Sequence, residues 1–243
     1  MIIEILRKEV IHMSKKIDKR IKYRIILDCE TCPCDKDFEG ISPWNMWFYD
    51  LGWAVVDKRG NVYKTQSFVN ADIFLAEKEL MQSAYYANKI PMYWEQIKVG
   101  QRILTSFAKI RKAFLADIQE YNVIEVYAHN MKFDWGALTN TQRWLTKSKY
   151  RYFFPKDIMI CDTLKMARQV IGKMPTYRNF CEENGYLTKN GQLKFTAEIL
   201  YRFISKNNDF TESHTGLEDV LIEKEILAYC FKQHKKMERK LWA

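Results

Sequence analysis

The chain has 243 residues, is 47% hydrophobic and 14% aromatic, and carries a formal net charge of +9. That length can bury a substantial single-domain core, and the composition excludes a disordered chain. No run approaches the roughly 18–20 continuous apolar residues of a membrane span.

Residues 1–21 read as a basic N-terminal extension. Glu4, Arg7, Lys8 and Glu9 interrupt its apolar pattern, which argues against a signal-peptide core and for a short amphipathic helix. Met13-Ser14-Lys15-Lys16 offers an alternative translation start. With no export signal, a cytoplasmic protein with reduced thiols is expected. Cys29, Cys32 and Cys34 are followed by no matching Cys or His pair, so they are read as ordinary thiols rather than zinc ligands.

An expected domain spans 22–231. Residues 22–29 form a buried strand ending in Asp28-Cys29-Glu30, and a loop follows from Thr31 to about Trp47. Strands at 48–57 and 61–69 flank the Lys58-Arg59-Gly60 hairpin signal. Helical patterns cover 72–83 and 99–119, the latter from Ile103, Leu104, Phe107, Ile110, Phe114 and Ile118. A short strand at 123–128 leads into a helix over 132–146. A strand at 157–160 precedes helices at 162–171, 175–183, 195–205 and 215–240, so that the basic tail 232–243 continues the last helix. This order predicts an α/β fold, a mixed sheet of about five strands with helices on both faces.

Charge is unevenly placed. Residues 1–24 carry eight Lys/Arg against three acids, residues 232–243 carry five against one, and the stretch between has 26 of each. Within it, 141–180 holds nine basic groups against Asp157 and Asp162, interleaved with Trp144, Tyr150, Tyr152, Phe153, Phe154 and Tyr177. Such a region suits a polyanion with stackable bases. A solvated basic face over an aromatic core is the plainer alternative for any single residue.

Acidic residues recur at element junctions. Asp28 and Glu30 share one face of a strand end, and two carboxylates so close call for a cation between them. Asp134 falls in the first turn after the 123–128 strand. Asp219 falls in the first turn of the last helix, with His214 just before it. Each alone is an ordinary helix-start acid.

Together they resemble the DnaQ-like 3′–5′ exonucleases of the DEDDh type, on the ribonuclease-H-like fold. Asp28-Cys29-Glu30 resembles the first motif, His129-Asn130-Met131-Lys132-Phe133-Asp134 the second, and His214 to Asp219 the third, with Gly216 in its small-residue position. The resemblance implies two Mg²⁺ or Mn²⁺ ions, as in two-metal phosphodiester hydrolysis. It assigns Asp28 as the bridging ligand. Glu30 and Asp219 fall to the ion that activates water, Asp134 to the second ion, and His214 to the general base. Thr31, Cys32, Asn130 and Phe133 fall beside the nucleotide. The family's Thr-Thr-Gly or Thr-Ser-Gly is replaced by Thr31-Cys32-Pro33-Cys34. Trp44, Trp47 and Phe48 either stack on a terminal base or cap the core.

The implied activity is release of nucleoside monophosphates from a 3′ end of DNA or RNA. RNA trimming, a proofreading subunit held to a polymerase through the basic tails, and a non-catalytic nucleic-acid-binding module are the rival readings.

Overall fold

A computed structural model describes residues 17–35 and 42–242. The predicted N-terminal helix, the Met13 start and part of the Thr31–Trp47 loop lie outside these residues.

The sheet contains β1 (Arg24–Pro33), β2 (Met46–Val56), β3 (Val62–Asn70), β4 (Ile103–Thr105), β5 (Glu125–Ala128) and β6 (Met159–Asp162). Their spatial order is β4-β3-β2-β1-β5-β6. β1 pairs antiparallel with β2 and parallel with β5, which makes the sheet mixed. The sixth strand is β4, which occupies part of the stretch predicted as helix 99–119. Ile103, Leu104 and Thr105 pair with Phe68, Val69 and Asn70, and the helix begins only at Phe107. A three-residue strand is too short to interrupt a helical periodicity that its own Ile and Leu happen to fit.

The helices are α1 (Ala71–Phe74), α2 (Lys78–Gln82), α3 (Ile90–Lys98), α4 (Phe107–Glu120), α5 (Met131–Leu145), α6 (Thr163–Val170), α7 (Pro175–Glu183), α8 (Ala197–Ser205) and α9 (Gly216–Lys232). The predicted 72–83 helix is broken into α1 and α2, and α3 was not foreseen. The last helix stops at Lys232 rather than running on to 240. Residues 239–241 instead lie along β6, with Asp162 N–H donating to Arg239 O and Leu241 N–H to Ile160 O, both at 2.9 Å. Edge amides and carbonyls of β6 are satisfied in this way.

Alternation along β1 builds the two cores. Ile25, Leu27 and Cys29 pack with Phe107, Ile110, Phe114 and Leu138 from α4 and α5. Ile26 packs on the other face with Met166, Val170, Leu200, Ile226 and Leu227 from α6, α8 and α9. Period two therefore sends Asp28 and Glu30 toward the α9 face and Cys29 away from them. The β1–β2 register shifts between Glu30 and Thr31: Glu30 pairs with Asp50 and Thr31 with Phe48, leaving Tyr49 as the extra residue. Such a bulge bends the strand at the point where the acids lie. Thr141 Oγ1, on α5, accepts the neighbouring Phe48 amide at 3.0 Å.

Candidate active site

Two glycines bring the last helix onto the sheet. Gly52 pairs with Asp28 across β1 and β2. A Cβ at Gly52 would lie 2.2 Å from the Leu217 nitrogen, and one at Gly216 would lie 2.7 Å from the Gly52 nitrogen. Only paired hydrogens permit this backbone approach. It delivers the first turn of α9, with Asp219, to the end of β1. The small residue at 216 thus has a steric reason.

Asp28, Glu30 and Asp219 each offer a carboxylate oxygen, and these atoms lie within 4.8 Å of one another. Asp134 enters from the first turn of α5. Asn130, in the left-handed region at φ 66°, turns the chain from β5 into that helix. The Cys29 amide donates to Asp134 Oδ1 at 3.2 Å, which ties α5 to β1. Asp219 is held by the Thr215 amide at 3.0 Å and the Ser213 hydroxyl at 3.3 Å.

The electrostatics are those of acids crowded without enough cations. Burial, then Asp134, Glu223, Glu30 and Asp219, pushes the Asp28 carboxyl well above its usual range. Burial raises Glu30 to about 9, with Asp219 and Asp50 adding repulsion and Lys89 opposing it. Asp219 rises to about 8 through burial and Glu212. Asp134 rises to about 7 through burial, partly offset by its hydrogen bonds with Cys29. A hard divalent cation relieves this repulsion and takes oxygen donors of this type. The donor set therefore fits a metal of the magnesium or manganese class.

His214 sits just before α9 in a left-handed conformation, φ 50°. Its ring stacks on Tyr86, centroids 4.8 Å apart and planes 13° off parallel. Lys89 Nζ donates to the carbonyls of Ser213 at 2.6 Å and His214 at 3.0 Å. Burial and then the Lys89 charge lower the His214 pKa, which favours the neutral imidazole a base requires. Glu212, His214 and Asp219 also place ligand atoms within 4.8 Å of one another.

The residues expected beside a nucleotide divide. Asn130 is exposed, and Thr31 and Phe133 are half-buried. Phe133 packs against the α4–α5 core. Cys32 is a correction: strand β1 continues through Pro33, and Cys32 is fully buried among Trp47, Tyr49, Ile73 and Met81. Its thiol has no surface to present to a ligand. Trp47 and Phe48 are core residues, whereas Trp44 remains exposed.

Several residues of the site were not foreseen. Glu223 is buried one helical turn beyond Asp219, and it accepts the His129 amide at 3.1 Å. Its pKa is driven well up by burial and by Asp134. The i, i+4 spacing of Asp219 and Glu223 was the available signal. His129 itself is structural, with Nδ1 3.1 Å from the Thr163 hydroxyl and Nε2 2.7 Å from Phe195 O. Behind Glu30, Asp50 is fully buried and accepts from Arg102 at 2.9 Å, Tyr93 at 2.8 Å and the Gly216 amide at 3.0 Å. Arg102 also reaches Glu218 at 2.6 Å. An acid inside the apolar FYDLGWAVV run was the legible sign of this network.

No protein-family profile matches the sequence, and no curated protein matches it. Solved structures do. One, described as the nuclease domain of 3′hExo, a DEDDh family member bound to rAMP, superposes with a TM-score of 0.58. It is 12% identical over 92% of this chain and 98% of its own. Another, described as a 3′-exonuclease in 3′-end-specific recognition of a histone mRNA stem-loop, gives 0.55 at 13% identity, over 99% of this chain and 73% of its own. At such identity the likeness speaks for architecture: the chain has the ribonuclease-H-like fold of these exonuclease domains.

Proposed function

We propose that the protein is a divalent-metal-dependent 3′–5′ exonuclease that releases nucleoside monophosphates from DNA or RNA. The carrying observation is the convergence of Asp28, Glu30 and Asp219 within 4.8 Å, with Asp134 arriving from the start of α5 and His214 from the approach to α9 that also carries Asp219. The fold supports this reading, since the nuclease domains above share it.

Asp28, Glu30, Asp134 and Asp219 are the residues that would hold Mg²⁺ or Mn²⁺. When bound, such ions lower the pKa of water and neutralise charge on the leaving oxygen. The protein's own part is positional. The bulge after Glu30 and the Gly52–Gly216 contact fix the acids on one face. His214, whose pKa is lowered by burial and Lys89, takes the proton from the attacking water at a ring nitrogen. Tyr86 holds the imidazole plane by stacking. Asn130, exposed at the start of α5, would meet the terminal nucleotide. The basic surfaces attract the phosphate backbone and make binding salt-sensitive.

The test uses 3′- and 5′-labelled single-stranded DNA and RNA with magnesium, manganese or chelator. Mononucleotide release from the 3′ end, lost in chelator and in Asp28→Ala, is the expected result. Well-folded protein that cleaves none of these substrates would end the enzyme reading and leave the binding module.

A further inference from the structure

Away from the carboxylates, four segments distant in sequence converge on one aromatic and basic surface. Trp44 comes from the turn before β2, and Trp135 and Arg143 from α5. Tyr152 and Lys156 come from the connection to β6. Lys240 and Trp242 come from the C-terminal segment. Pairing of 239–241 with β6 puts Leu241 against the α4–α5 core, and Lys240 and Trp242 flank it along the extended chain.

The rings form a continuous chain. Trp135 meets Trp44 edge-on at 5.5 Å, Trp242 edge-on at 4.8 Å and Tyr152 at 5.7 Å. The Arg143 guanidinium lies 6.0 Å from the Trp44 ring and 5.7 Å from Tyr152. Trp44, Tyr152 and Trp242 are nonetheless 47%, 42% and 52% exposed. Trp135, Tyr152, Lys156, Lys240 and Trp242 line an open groove of about 510 Å³, in which Asp157 is the one acid among the described residues.

Contiguous exposed aromatics of this kind mark a binding surface. Rings beside Arg and Lys match the two surfaces of a single strand, its bases and its phosphates. The positive charge alone would equally suit an acidic protein; the exposed stacking faces select for bases, and the two together favour nucleic acid. The surface also begins at Trp135, the residue after Asp134.

We propose that this groove, together with Trp44 and Arg143 that adjoin its Trp135 and Tyr152, is a track for single-stranded nucleic acid, on which bases stack on Trp44, Tyr152 and Trp242 while Arg143, Lys156 and Lys240 meet the phosphates. It deepens the exonuclease reading, which it needs only to say that the bound strand lies on the 5′ side of the terminal nucleotide. A strand too short to span from the acids to the groove reaches the site without engaging the track.

The experiment measures equilibrium binding of end-labelled dT and U oligonucleotides in chelator, where no hydrolysis occurs. A 12-mer is expected to bind at least about fivefold tighter than a 4-mer, and Trp242→Ala and Tyr152→Ala each to lose about fivefold or more of the 12-mer affinity. Trp242→Phe, which keeps a stacking ring, restores most of it. An abasic 12-mer binds wild type as the alanine variants bind the normal strand, and a blunt duplex gains nothing from the track. The proposal is overturned if folded alanine variants bind the 12-mer as wild type does. Equal affinity for abasic and normal strands, or for the 4-mer and 12-mer, also overturns it. Retained length dependence without mononucleotide release in magnesium would leave the track standing and remove the exonuclease. Release without length dependence would do the reverse.

Discussion

The two ends of one sheet treat buried acids in opposite ways. At the N-terminal end of β5, Glu125 is nearly inaccessible but receives Arg24 at 2.8 Å, Lys22 and Arg239 at 3.0 Å and the Tyr127 hydroxyl at 3.0 Å. Burial pushes its pKa up, yet Lys22, Arg24 and Arg239 outweigh it and hold the carboxyl below its ordinary range. At the other end Asp28, Glu30, Asp134, Asp219 and Glu223 share a site beside which Lys89 is hydrogen-bonded to backbone carbonyls rather than to a carboxylate. Their pKa values all rise. A buried acid that the protein neutralises itself is architecture. A group of them left in mutual repulsion is a place kept for an outside charge.

The largest expected effect breaks the chemistry while sparing the cation site. His214→Ala should lower mononucleotide release by about 10²–10⁴-fold, while manganese binding, followed by calorimetry, stays near wild type. Loss of manganese binding would move His214 from base to ligand.

Next comes the partnered neighbour of the site. Arg102→Met leaves Asp50 and Glu218 without their guanidinium and should cost about 3–5 kcal/mol, read by urea denaturation. An effect under about 1 kcal/mol would show that Asp50 is neutralised by its other donors.

The two ends should also respond with opposite sign to loss of one charge. Without metal, Asp134→Asn should stabilise the fold and Glu125→Gln destabilise it, each on the order of 1–3 kcal/mol. The pH dependence follows the same division. Site acids with raised folded pKa values contribute stability below the unfolded carboxylate range and lose it as pH rises through about 7 to 9. Glu125, with a lowered value, contributes above that range and loses it in acid. Metal-free protein should therefore melt at lower temperature at pH 9 than at pH 6, and saturating Mn²⁺ should remove the difference. A metal-free melting temperature flat across that window would contradict the repulsion.

Smallest is the steric test of how the site is assembled. Gly52→Ala places a methyl against the α9 backbone and should cost about 1–3 kcal/mol. Activity should fall further than stability explains, because Asp219 moves with the helix.

Much of this is legible in the sequence. Strand β1 with its two acids, the β5-to-α5 turn carrying Asp134, and the approach to α9 through His214 and Asp219 each rest on local signals. An apolar run or a helix-start acid depends on neighbours a few residues away. The breaks in the reading have long-range causes. β4 exists because β3 offers it an edge, and the chain after Lys232 becomes extended because β6 does the same. Cys32 is removed from the site by a bulge and by a separate apolar cluster in which Ile73, Met81 and Tyr93 of α1, α2 and α3 pack around it, none of which local periodicity records.

The sequence by itself therefore determined the identity of the acids, their order and the faces they occupy, since period-two alternation and helix-start chemistry act within a few residues. Tertiary structure decided which acids remain without a cation. Asp50 and Glu125 are as acidic in sequence as Asp28, and what separates them is the arrival of Arg102 from 52 positions away at Asp50, and of Arg24 from 101, with Lys22 and Arg239, at Glu125. Burial sets the cost of a charge, and the partner that offsets it is supplied by the fold.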